Sequence, residues 1–209
     1  MIKHQALGIF AKAPVLGQCK TRLMPALSAE EAMAAHCELV ARALEQVTGV
    51  ANTQASLWVT DISATTEQWA QTWQLPAQLQ VGADLGARMF NCLDKLCAST
   101  HEGAMLMGTD CPEIDASYIR TAGHHLRHYD LVLGPAEDGG YGLIGLRKAH
   151  SEIFAGIDWG TSCVAQQTLS AAEKLGLRVF LMPLIWDVDR PEDWQRYQLL
   201  KEQIVAQTN

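Results

Sequence analysis

The stretch "ALGIFAKAPVLGQCKTRL", residues 6–23, is a short apolar run that breaks into a Pro/Gly loop carrying Lys12, Lys20 and Arg22. Its first half, "ALGIFAK" (6–12), has the signature of a buried strand bounded by turn residues. Next comes "SAEEAMAAHCELVARALEQV" (28–47), which opens with Ser28 and, three residues on, Glu31, the pattern of a capping box. Ala32, Leu39, Ala43 and Val47 then recur at helical spacing. Strand, loop and helix form one unit, and the alternation continues.

"ASLWVT" (55–60) predicts a strand and "TTEQWAQTWQL" (65–75) a helix. Asp84 is placed to cap a helix with the core face Leu85, Met89, Leu93 and Leu96. "AMLMGTD" (104–110) predicts another strand, followed by a helix over 115–128 and strands near 130–134 and 141–146. Thr161 or Ser162 is expected to cap a further helix, and "RVFLMPLI" (178–185) to be strand. "PEDWQRYQLLKEQIVAQ" (191–207) predicts the last helix, with Pro191 at its first position and Glu192 and Asp193 in its first turn. Strands alternating with helices predict one α/β domain over residues 1–209, a three-layer α/β/α arrangement with a mainly parallel sheet. The adjacent strands around 130–146 predict an antiparallel insertion. Ligands of such sheets sit beyond the carboxyl ends of the strands, where strand order reverses.

The 209 residues are 48% hydrophobic and 19% charged, which supports a large core and argues against disorder. A net charge of −7 argues against a nucleic-acid surface. "VFLMPLIW" is too short to span a bilayer, and "MIKHQALGIF" lacks the features of a signal peptide. Six cysteines without a C-x-x-C pair read as reduced thiols of a cytoplasmic protein. His124 and His128 stand one helical turn apart, but nothing nearby completes a metal site.

Against this acidic background the first carboxylate is Glu30, so Lys3, Lys12, Lys20 and Arg22 lie in an acid-free window. A P-loop would need glycine at positions 14 and 19, where Pro14 and Cys19 stand. What remains is a Gly/Pro loop whose cations can converge on phosphates, or an ordinary solvated basic turn. "MLMGTDCPE" delivers Asp110 to the end of a strand, beside Thr109 and before Pro112, either for a divalent ion or as a turn residue. "GPAEDGGYGLIGL" sets Glu137 and Asp138 before Gly139 and Gly140, where a metal-facing role and a plain hairpin both fit. "WDVDRPEDW" puts Asp187 and Asp189 on one face of an extended segment, with helix capping as a competing role for Asp189.

Taken in order, "FAKAPVLGQCKTRL", "GADLGARM", "GTDCPEI" with "GPAEDGGYGLIGL", and "WDVDRPEDW" resemble the GT-A-like bacterial transferases associated with radical-SAM and selenodomain proteins, a family labelled arsenosugar-biosynthesis glycosyltransferase. More distantly, the chain is similar to 2-phospholactate and molybdenum-cofactor guanylyltransferases. The resemblance implies a nucleotide-diphospho-sugar transferase fold, Mg²⁺ or Mn²⁺, and a nucleotide or nucleotide-sugar ligand with a small-molecule acceptor. It makes Asp110 and Asp189 the metal carboxylates and, with Lys20, the catalytic set. It extends the expected nucleotide and phosphate contacts to Lys12, Gly17, Arg22, Asp84, Arg88, Thr109, Glu137, Asp138, Gly139 and Gly140. The chain departs from two patterns of the wider group: Thr109-Asp110-Cys111 is not D-x-D, and no G-x-G-x-R loop is present. Glycosyl transfer is the expected reaction. Nucleotidyl transfer with release of pyrophosphate and a non-catalytic nucleotide-binding module are the alternatives.

Overall fold

The computed structural model describes residues 5–48, 50–100 and 102–208, so Lys3 of the basic window lies outside the described residues. The elements are β1 (Gln5–Ala11), α1 (Ala29–Thr48), β2 (Thr53–Val59), α2 (Ala64–Thr72), β3 (Ala77–Leu79), α3 (Leu85–Ser99) and β4 (Ala104–Gly108). They continue with α4 (Ala116–Leu126), β5 (Leu131–Pro135), β6 (Tyr141–Leu146), α5 (Val164–Lys174), β7 (Val179–Leu181) and α6 (Pro191–Thr208). The strands form one sheet in the order β3-β2-β1-β4-β6-β5-β7. Pairing is parallel except where β6 runs antiparallel to β4 and β5, which is the expected insertion.

β1 explains the layering. Leu7, Ile9 and Ala11 face a core shared with Val40, Ala43 and Leu44 of α1 and Ile119, Ala122 and Leu126 of α4. Ala6, on the opposite face, joins Met89, Cys92, Leu93 and Leu96 of α3 and Ala172 of α5. A strand with a core on both faces must be apolar throughout, which is why "ALGIF" lacks alternation. Helix α6 closes a third cluster in which Leu39 of α1 meets Trp186, Val188 and Tyr197. No described helix is long and apolar enough to cross a membrane.

Local chemistry sets the helix starts. Ser28 and Glu31 form the reciprocal box: the Ser28 N–H donates to the Glu31 carboxylate (2.8 Å), and the Glu31 N–H donates to Ser28 Oγ (3.2 Å). Asp84 caps α3 and Asp115 caps α4. The expected cap of α5 is corrected: Cys163 holds the position without a side-chain bond, while Thr161 Oγ1 donates to the Asp158 carbonyl (2.8 Å) in the preceding turn. The strand expected over 178–185 is likewise shorter. Pairing stops at Leu181 because Pro183 has no N–H to offer, and the chain regains the sheet only at the Ala136–Ile185 bridge. Strand β3, three residues at the sheet edge, has too few positions to show a pattern.

Candidate active site

Strand order reverses between β1, which continues to β2 and β3, and β4, which leads to the other half of the sheet. The loop after β1 supplies Lys20, and the loop after β4 supplies Asp110. Their side chains meet at this switch point, with Lys20 Nζ 2.8 Å from Asp110 Oδ1. Lys20 is only 6% exposed and also donates to the Val188 carbonyl (2.6 Å). The Val188 N–H in turn donates to the Asp110 carbonyl (2.9 Å), so three separate segments are tied at one point. Lys20 takes a left-handed backbone (φ 48°), a conformation that costs a non-glycine residue on the order of 1 kcal/mol and that the surrounding bonds must hold. Asp110 Oδ1 is shielded, and its contact with Lys20 is ionic, without the angle of a hydrogen bond. The side chain as a whole is half exposed, so Oδ2 is the oxygen open to a ligand.

Arg22 reaches Asp189, Nη1 to Oδ2 at 2.5 Å. Asp189 is free to do so because Asp193 caps α6, its Oδ2 accepting from the N–H groups of Asp189 (3.1 Å) and Arg190 (2.7 Å). Capping therefore falls to Asp193, not to Asp189. Lys12 Nζ donates to the Gln18 carbonyl (2.6 Å) and closes the basic loop on itself. Buried His36 lies 2.8 Å from the Lys12 carbonyl through Nε2. Burial holds the imidazole below its ordinary pKa, so the neutral ring donates its Nε2–H there. Lys12, Lys20, Arg22, His36, Asp110 and Asp189 line one cleft of about 190 Å³.

A second group of carboxylates adjoins the first. Asp187 sits between buried Trp186 and Val188 and is half-buried itself. Its carboxyl is pushed up to about 6, chiefly by burial and then by Asp138 and Asp189. Asp138 occupies the β5–β6 turn, its Oδ1 accepting from the Gly140 N–H (2.8 Å). Gly139 has φ +88°, and a Cβ there would run into the Ser162 carbonyl, so only glycine lets this turn seat against the start of α5. Its carbonyl accepts from the Ala165 N–H (2.9 Å).

The expected residues thus divide. Lys12, Lys20, Arg22, Asp110 and Asp189 converge in one cleft, and Asp138 and Gly140 line a neighbouring pocket with Asp110. Glu137 lines an adjoining cavity with Arg22, Asp138, Asp187 and Asp189 and is held by Arg196 through contacts of 2.9 and 3.3 Å, with Arg196 packed 4.2 Å over the Trp186 ring. Thr109 is buried beside Asp110, and Gly17 makes the left-handed bend at the tip of the basic loop. Asp84 accepts from the Ala87 N–H (2.7 Å) and Arg88 donates to the Gly82 carbonyl (3.3 Å), so both shape the loop before α3. Asp187, which the sequence pairs with Asp189 by spacing but which is not among the expected ligand contacts, and His36 complete the site. Asp187 carried a signal, its alternate spacing with Asp189; His36, inside a helix, carried none.

Residues 43–161 match the family described as "Uncharacterized protein conserved in bacteria (DUF2064)". The chain belongs to this family. A candidate nucleotide-diphospho-sugar transferase from Desulfovibrio desulfuricans G20 is 30% identical, with a TM-score of 0.82 over 89% of this chain and 82% of that one. CMP:2-keto-3-deoxy-manno-octonic acid synthetase, solved with CTP, is 12% identical with a TM-score of 0.60 over 95% and 99% of the two chains. 4-Diphosphocytidyl-2C-methyl-D-erythritol synthase from Anaerococcus prevotii is 10% identical with a TM-score of 0.61 over 92% and 93%. The last two likenesses concern the fold alone. No curated protein matches the chain in sequence. The chain thus shares the layered α/β fold of that candidate nucleotide-diphospho-sugar transferase, and Lys20 and Asp110 meet at its switch point.

Proposed function

We propose that the protein is a metal-dependent glycosyltransferase that moves a sugar from a nucleotide-sugar donor to a small-molecule acceptor. The observation that carries this reading is the cleft at the switch point, where Lys12, Lys20 and Arg22 stand against Asp110 and Asp189. Three cations around a cleft at strand ends suit a diphosphate, and Arg22, 63% exposed, can turn from Asp189 to a ligand at small cost. The 30% identical relative, a candidate nucleotide-diphospho-sugar transferase, supports the donor class.

Among the described residues no three His, Cys, Asp or Glu side chains gather as a metal site. Asp110 and Asp189 nevertheless offer the oxygen donors that Mg²⁺ or Mn²⁺ takes, and such ions commonly complete their shells with phosphate oxygens and water. Carboxylate oxygens lining one cleft are the donor type such an ion takes. When bound, the ion would help neutralise charge on the departing phosphate. Lys20 and Arg22 contribute to the same end by electrostatic preorganisation. In the transfer, an acceptor oxygen bonds to the sugar carbon while the bond from that carbon to the phosphate oxygen breaks. The electron pair leaves with the nucleoside diphosphate, and the acceptor proton passes to a carboxylate, for which Asp187 is suitably basic. Unpaired thiols suit a reducing cytoplasm.

Nucleotidyl transfer is the second reading, favoured by the shared fold with a synthetase solved with CTP. Product analysis separates the two. Release of a nucleoside diphosphate from a nucleotide sugar supports glycosyl transfer; release of pyrophosphate from a nucleoside triphosphate supports the alternative. Nucleotide binding with turnover on no acceptor would indicate a binding module.

A further inference from the structure

Asp110 lines a second pocket besides the basic cleft, of about 300 Å³. Three carboxylates, Asp110, Asp138 and Asp187, line it, and no Lys, Arg or His lines the pocket among the described residues. Met89, Tyr141 and Trp159 line it as well, the two rings meeting edge-on at 6.5 Å between centroids. Lys20 reaches Asp110 from the basic cleft and Arg22 lines an adjoining cavity with Asp138 and Asp187, so the basic loop borders this pocket while none of its cations lines it.

The two kinds of lining ask for different parts of one ligand. Carboxylates accept hydrogen bonds from hydroxyl and amino groups. Apolar and aromatic surface covers the hydrocarbon face of the same molecule. A phosphate or carboxylate placed there would meet three carboxylates and no cation on the pocket's own lining, Lys20 being already paired with Asp110. Resting on the glycosyl-transfer reading, we infer that this pocket is the acceptor subsite and takes a small hydroxyl- or amine-bearing molecule without an anionic group, such as a neutral or amino sugar.

Gly108 provides a handle. It lines the pocket, its φ is not in the left-handed range, and a Cβ built on it meets nothing within 4 Å. A β-carbon at 108 would stand in open space at the pocket without displacing protein atoms.

The test uses four probes, glucose, glucosamine, glucose 6-phosphate and glucuronate, followed by saturation-transfer NMR with and without a nucleoside diphosphate and Mg²⁺. Glucose and glucosamine are expected to bind at least tenfold more tightly than the two anionic sugars. G108V should abolish sugar binding, and the D138N/D187N double variant should narrow the discrimination to about twofold or less. Equal or tighter binding of the anionic sugars, binding of none of the four, or sugar binding that survives G108V would overturn the inference. Sugar selectivity without any nucleotide-induced rise in melting temperature would instead uphold the pocket and sink the nucleotide-sugar reading.

Discussion

Lys20 and Asp110 face one another across the switch point of the sheet, Nζ to Oδ1 at 2.8 Å, with the ammonium nearly enclosed and the carboxylate half open. The pair joins two loops and, through the Val188 carbonyl, the segment leading to α6. Its first role is to hold the mouth of the site together. Lys20→Met would leave a shielded carboxylate oxygen without its counter-charge and should cost about 1–3 kcal/mol of stability. If the pair is coupled, the K20M/D110N double variant should recover part of that loss in urea titrations. Strictly additive losses would show that the contact contributes nothing to the fold.

Arg22 makes the opposite case, because it lies in solvent against Asp189. Arg22→Ala should leave the urea midpoint unchanged while weakening nucleotide affinity about tenfold or more, the scale of one charge-assisted hydrogen bond. Unchanged affinity by calorimetry would make the basic loop a simple surface turn.

Metal and nucleotide should bind cooperatively, each tightening the other by the same factor, if Asp110 and Asp189 share an ion with the phosphates. Asp110→Asn and Asp189→Asn should each remove that coupling. Nucleotide titrations with and without Mn²⁺ decide it: the same metal dependence in wild type and both variants would place the ion elsewhere.

Asp187 should leave a signature in the pH dependence of stability. Its carboxyl titrates near 6 in the folded chain, raised by burial and then by Asp138 and Asp189, against about 3.9 when unfolded. Between these values the folded state keeps a proton that the unfolded state has released, so this contribution falls as pH rises from about 4 to 6. After allowance for solvent screening, the effect is about 1 kcal/mol. In metal-free buffer, Asp187→Asn should flatten the slope and stabilise the protein at pH 7. A slope identical to wild type would show that the Asp187 carboxyl titrates alike folded and unfolded.

The thiols should react in order of exposure. Cys163 is exposed at the start of α5, whereas Cys92, Cys97 and Cys111 are raised in pKa by burial, Cys97 to about 11. Thiol titration without reductant should show Cys163 labelled first in the native protein and all six after denaturation. A denatured count of four would mean that a disulfide forms.

Much of the fold was legible because its signals are local. A strand buried on both faces must read as an unbroken apolar run, and a capping box binds groups three residues apart, so β1 and the start of α1 were plain from residues 6–31. The same locality explains the failures. The strand expected over 178–185 looked continuous until Pro183 removed a donor, and β3 was too short to express a period. Asp189 had a local competitor for its role, helix capping, and only the observed bonds assign that task to Asp193.

For the site, the sequence determined which loops carry charge: a basic, acid-free loop after the first strand, and carboxylates at strand ends near 110, 138 and 187–189. What it could not decide was who faces whom. Pairing across a sheet depends on strand order, and charge at a distance depends on burial; neither is encoded in spacing along the chain. The tertiary structure alone placed Lys20 against Asp110 and Arg22 against Asp189. It also set His36 beneath the basic loop and left Asp187 half-buried near Asp138 and Asp189, burial and neighbours together raising the pKa of its carboxyl. Electrostatic interactions act through space, so residues far apart in sequence acquired their roles only when the sheet brought their loops to one edge.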